Sequence, residues 1–166
     1  KFVDVVTTLS QLISLNIVTN DVGNNGLTQF ARNLRVADMP RLEELVLSND
    51  NIGNMGVSSL SDALADGALS TLRKLNLKQN QIGDDGITTL SKTVRKMTAK
   101  PQMSELRLGR RIGDAGLIMF SESLILNGVL CWPELKYLEL VGNNIGDTGF
   151  ASLAHACMDG ALPMLR

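Results

Sequence analysis

Hydrophobic and polar positions along this chain alternate between two periods. Around Leu75 and Leu77 the apolar residues are interleaved with Lys74, Asn76 and Lys78, the two-residue period of a strand with one buried face. A few residues later Ile87, Leu90 and Val94 recur at i, i+3 and i+7, which marks one face of a helix. The same helical triplet appears as Leu27, Phe30 and Leu34, as Val57, Leu60 and Leu64, and as Leu117, Phe120 and Leu124. Between strand and helix stands a turn with two glycines, beginning at Gly23, Gly53, Gly83, Gly113 and Gly146. Glycine allows a tight corner or a close backbone approach, and the Asn or Asp that follows the first glycine is expected to cap the helix.

The whole chain is one unit written five times. LRKLNLKQNQIGDDGITTL from Leu72 is echoed from Leu12, Leu42, Met103 and Leu135, at intervals of 30, 30, 31 and 32 residues. All four prolines, Pro40, Pro101, Pro133 and Pro163, fall two residues before the first apolar residue of a unit. There a missing N–H and a fixed φ do no harm. The fourth unit breaks the rhythm, because LGRRIGDAG is one residue short between Leu108 and Ile112. Two explanations stay open: a tightened turn with Arg110 and Arg111 pushed outward, or a residue absent from the sequence.

The pattern LxxLxLxxNxIGDxGxxxL resembles the ribonuclease-inhibitor type of leucine-rich repeat, over nearly the entire 166 residues. The resemblance implies a single α/β domain spanning residues 1–166, a horseshoe-shaped solenoid. Parallel strands pack about 4.8 Å apart and helices about 8 to 10 Å apart, so stacked units must bend with the strands on the concave side. Right-handed crossovers are expected between them. Asn20, Asn80 and Asn143, with Asp50 in the second unit, resemble the family's asparagine ladder, whose amides pair with the backbone of adjacent turns. A carboxylate can only accept, so the Asp50 rung is expected to lack its donor.

Residues Lys1 to Ser10 resemble the end of a preceding helix, and GALPMLR repeats the phase of GALSTLR. Five complete units with a partial one at each end are therefore expected to be a piece of a longer array. Uncapped ends of this kind should be covered in the parent protein or by self-association.

Strand residues that avoid the core map the concave face directly. The first variable position gives Ile13, Glu43, Arg73, Ser104 and Lys136, and the second gives Ser14, Glu44, Lys74, Glu105 and Tyr137. The position between the last two leucines gives Asn16, Val46, Asn76, Arg107 and Glu139. Lateral ion pairing is one expectation for these charges: Glu43 with Arg73, Glu44 with Lys74 and Glu105, and Arg107 with Glu139. Recognition of a complementary protein, with Tyr137 as an aromatic anchor, is the other.

Composition narrows the function classes. Sixteen basic and seventeen acidic residues leave a formal net charge of -1, without the positive excess that nucleic acid or an anionic membrane attracts. The apolar runs fall short of a membrane span, and no secretory signal pattern opens the chain. Two unpaired cysteines and the absence of an Asn-x-Ser/Thr sequon point to a cytoplasmic location.

Catalytic chemistry finds little support. The glycine corners lack the Lys-Ser/Thr of a phosphate-binding loop, and their repetition is architectural. Cys157 occupies the helical position of Leu64, and Trp132 the apolar position before a strand also held by Leu9, Met39, Leu69 and Leu162. Both read as packing residues. His155, the single histidine, diverges from Cys157 around the helix, so no metal or Cys-His site is expected.

The sequence thus predicts a protein-binding module without catalytic, cofactor or metal sites, using Glu43, Glu44, Arg73, Lys74, Glu105, Arg107, Tyr137 and Glu139. Arrays that resemble this one also include GTPase activators and the sensing ends of nucleotide-dependent immune receptors, where Arg110 or Arg111 could meet a nucleotide-bound partner. A spacer between domains is a third reading.

Overall fold

The structure, a computed structural model, describes residues 10–34 and 39–166. Strand and helix alternate in the order the periods predict: β1 (Ser14–Asn16), α1 (Gly23–Asn33), β2 (Glu44–Val46), α2 (Asn54–Ala65), β3 (Lys74–Leu77), α3 (Asp84–Lys96), β4 (Glu105–Leu108) and α4 (Asp114–Glu122). A small hairpin follows, β5 (Ile125–Leu126) and β6 (Val129–Leu130), and then β7 (Tyr137–Glu139) and α5 (Asp147–Met158). The expected end of a preceding helix and the apolar Leu9 lie outside the described residues.

Five strands form one parallel sheet in the order β1-β2-β3-β4-β7, which is chain order with the hairpin left out. Leu15, Leu45, Leu75, Leu106 and Leu138 stand opposite one another across it. Leu45, Leu75 and Leu106 are fully buried, as are Ile52, Ile82 and Ile112 at the corners and Val57, Ile87 and Leu117 on the helices. Each such side chain contributes about 1.5 to 3 kcal/mol of burial, and the repeats share a continuous core. Phe150 holds the position of Leu117 one unit on, yet it is 66% exposed, because the helices pack only on the near side of α5.

Two ladders stitch the turns together. In the first, Asn80 is completely buried, and its Oδ1 accepts the N–H groups of Asp50 and Ile52, each at 3.0 Å. Its Nδ2 donates to the carbonyls of Leu47 at 2.6 Å and Leu77 at 3.0 Å. Asn143 repeats this pattern with Arg110, Ile112, Leu108 and Leu140. Asp50 accepts the N–H of Asn20 at 2.6 Å through Oδ1, while its buried Oδ2 has no partner among the described residues; a carboxylate cannot donate to carbonyls as the Asn80 amide does one repeat on. Asn20 itself is exposed and donates to its near neighbour Val18.

The second ladder corrects the expected helix caps. Among the described residues, the side-chain bonds of Asn24, Asn54, Asp84 and Asp114 do not go to their own helices. These four instead reach one repeat ahead. Asn24 Oδ1 accepts from Gly53 and Gly56, Asn54 from Gly83, Asp84 from Gly113, and Asp114 from Gly146. From α2 onward the glycine N–H that opens each helix is thus met by a side chain of the preceding unit, an arrangement that single-helix logic does not anticipate.

Candidate functional site

The strand register builds the candidate face. Ser14, Glu44, Lys74, Glu105 and Tyr137 form one row, and Asn16, Val46, Asn76, Arg107 and Glu139 form the next. Both rows point away from the leucine core, as the two-residue period of each strand dictates. Just upstream, Glu43, Arg73, Ser104 and Lys136 are tied in sequence, each N–H donating to the carbonyl of its counterpart in the unit before.

The charges on this face divide into an engaged half and a free half. Arg107 pairs with Glu105 on its own strand and with Glu139 at 3.5 Å on the neighbouring one. Its guanidinium carbon also lies 5.1 Å from the centre of the Tyr137 ring, a cation–π arrangement. Lys78 completes the cluster by pairing with Glu139. Partial burial works against the charge on Arg107, but the hydrogen bond to Glu105 and the fields of Glu105, Glu139 and Tyr137 outweigh it and raise its pKa. The ammonium of Lys78, with help from Arg107, holds the Glu139 carboxyl below its ordinary value against a smaller opposing effect of burial.

Of the expected lateral pairs, Arg107 with Glu139 forms and the others do not among the described residues. Glu105 turns to Arg107 two residues along its own strand, not to Lys74, and Glu44 accepts from the Ser14 hydroxyl at 2.9 Å. Glu43, Arg73 and Lys74 form no ion pair among the described residues, and Glu43, Arg73, Lys74 and Tyr137 are exposed. Six of the eight predicted residues, Glu44, Lys74, Glu105, Arg107, Tyr137 and Glu139, stand in the two rows of the sheet, while Glu43 and Arg73 immediately precede β2 and β3. Arg107 contacts Glu105, Tyr137 and Glu139. Lys78 was missed because it follows the last leucine of β3, one step beyond the variable columns.

Other predicted features fall where packing puts them. Trp132 is completely buried with its ring centre 6.0 Å from that of Phe120, and its Nε1 has no partner among the described residues. Cys131 is a buried free thiol. Cys157 is half-buried, less than expected, because α5 is packed on one side only. Among the described residues no group of three or more His, Cys, Asp or Glu could hold a metal ion, and no helix is long and apolar enough to cross a membrane.

A parallel sheet of repeated strands, helices on the opposite side and variable side chains aligned in rows together define an α/β solenoid. Residues 68–91 and 134–154 match the family model described as Leucine Rich repeat. The chain is also similar to the solved structure entitled "Leiomodin-1 Actin-Binding Site 2 (ABS2)", with 16% sequence identity and a TM-score of 0.63 over 94% of this chain and 87% of that one. No curated protein matches. The fold is a leucine-rich-repeat solenoid.

Proposed function

We propose that this chain is a non-enzymatic protein-interaction module that engages a protein partner through the concave strand face. The observation that carries the reading is the group of exposed charges at Glu43, Arg73 and Lys74, without an ion pair among the described residues, together with the Arg107–Tyr137–Glu139 cluster. Free charges speed and orient association, and Tyr137, held by the Arg107 guanidinium and by Glu139, is an aromatic anchor whose conformation is already restricted. Glu44 and Glu105 complete the surface. That a solved protein of this fold is titled as an actin-binding site lends support to protein recognition as a task for such a solenoid.

The finer assignment is a single domain of the ribonuclease-inhibitor-like kind, working in the cytoplasm, without nucleic-acid or membrane ligands. Repeat lengths near 30 residues with a full helix in every unit support the subtype, and two free cysteines support a reducing compartment. Exposed Phe150 and Met158 on α5 support self-association there.

The test is a double replacement, Arg107→Ala with Tyr137→Ala, measured for partner affinity and for folding by circular dichroism. Weaker binding by a folded variant supports the reading, and unchanged affinity places the site elsewhere. A regulatory array of the GTPase-activator kind, or of an immune-type receptor, is the second reading, favoured only by the exposure of Arg110 and Arg111. Acceleration of GTP hydrolysis by a small GTPase would mark the activator, with loss of the effect on Arg110→Ala.

A further inference from the structure

The shortened fourth turn leaves a gap in the rim of the sheet. After β1, β2, β3 and β7 the residue preceding the ladder rung adopts a left-handed conformation: Thr19 at φ 63°, Asn49 at 58°, Gln79 at 56° and Gly142 at 76°. The fourth unit has no such residue. Arg110 takes the backbone place of the rung, its N–H donating to Asn143 Oδ1 at 2.9 Å, but its side chain is exposed. The carbonyl of Gly109 accepts the N–H of Asn80 at 3.2 Å, replacing the side chain that the missing asparagine would have supplied.

Because the turns on either side keep their full length, a notch of about 420 Å³ opens between them, lined by Lys78, Gln79, Gly109, Arg110, Val141 and Gly142 among others. Its floor is held low by Gly109, where a β-carbon would lie 2.7 Å from the Val141 carbonyl oxygen. Lys78 on one wall is engaged by Glu139, whereas Arg110 makes no ion pair among the described residues. Val141, at the far wall, is 70% exposed. The notch therefore offers one free guanidinium, one shared ammonium and one apolar contact within a single depression at the edge of the concave face.

We propose that this notch receives an acidic side chain from the protein partner, a glutamate flanked by aliphatic residues. A carboxylate fits the forked donors of Arg110 and gains from Lys78, while an adjoining aliphatic group covers Val141. This rests on the partner-binding reading above and adds to it the chemistry of one contact.

The experiment is an amide NMR titration of this chain with the capped peptide Ala-Leu-Glu-Leu-Ala, its Gln analogue, and inorganic phosphate. The expected result is saturable shifts at Gly109, Arg110 and Val141 with the Glu peptide, weakened about tenfold or more for the Gln analogue and for Arg110→Gln. Arg110 is exposed, so the rest of the variant's spectrum should be unchanged. Equal shifts with the Gln analogue, survival of binding in Arg110→Gln, or equally strong shifts with phosphate alone would overturn the proposal. Shifts confined to Arg73 and Lys74 would also overturn it, while leaving the concave-face reading intact.

Discussion

Asp84 Oδ1 accepts the backbone N–H of Gly113 at 2.6 Å, so that a side chain at the start of one helix caps the start of the next. The same contact, repeated by Asn24, Asn54 and Asp114, also explains the second glycine of the four later corners. A β-carbon on Gly116 would stand 2.5 Å from Asp84 Oδ1 and 2.9 Å from its Cα. Asp84→Ala should cost about 1 to 2 kcal/mol, and Asp84→Asn much less because the acceptor is kept. Gly116→Ala should cost about 1 to 3 kcal/mol by overpacking. Urea unfolding midpoints, compared at constant slope, check all three.

Asp50→Asn should stabilise the protein. The native carboxylate leaves Oδ2 buried without a donor, whereas an amide there can donate as Asn80 does one repeat later. Relief of an unsatisfied buried group is worth about 1 to 3 kcal/mol. Thermal and chemical unfolding should both move upward, and a lower midpoint would contradict this account of the rung.

Much of this was legible in the sequence, because each leucine, glycine and asparagine is set by a contact that recurs. Strand register and buried leucines follow from periodicity, and the Asn80 rung from the resemblance to the repeat family. The reach of Asn24, Asn54, Asp84 and Asp114 into the following repeat does not, since a local pattern cannot distinguish a helix's own N–H groups from those of its neighbour. The β5–β6 hairpin was visible in Asn127-Gly128, with φ 50° and 78°, the turn chemistry of a two-residue hairpin, but it lay outside the repeat frame. The pairing of Glu105 with Arg107 turned on side-chain reach, which column alignment does not encode.

The irregular turn gives a sharper prediction. Gly109→Ala should destabilise by about 1 to 3 kcal/mol, because the added carbon meets the Val141 carbonyl backbone and not a flexible side chain. Gly109 has no left-handed φ in this structure, so the cost comes from contact. Differential scanning calorimetry should show the loss, and a neutral result would mean the neighbouring turn moves aside.

Two carboxyls should titrate low. The Thr148 hydroxyl and the Gly146 N–H lower the pKa of Asp114, and Lys78 lowers that of Glu139. With folded values below the unfolded ones, the stability each contributes is present above the unfolded carboxylate pKa near 4 and lost as pH falls through the folded value. Carboxyl NMR titration should find Thr148→Val raising the Asp114 midpoint and Lys78→Met raising that of Glu139. Unchanged midpoints would remove those partners as the cause.

The concave-face account is tested most directly by comparing two charge reversals for quantitative capture of the same partner. One carries Arg73→Glu and Lys74→Glu on the exposed sheet face, the other Lys92→Glu and Arg95→Glu on the exposed side of α3. The sheet variant is expected to lose the partner by about tenfold or more while the helix variant retains it. Retention by the sheet variant with loss by the helix variant would contradict the concave-face account and move the binding surface to the convex side.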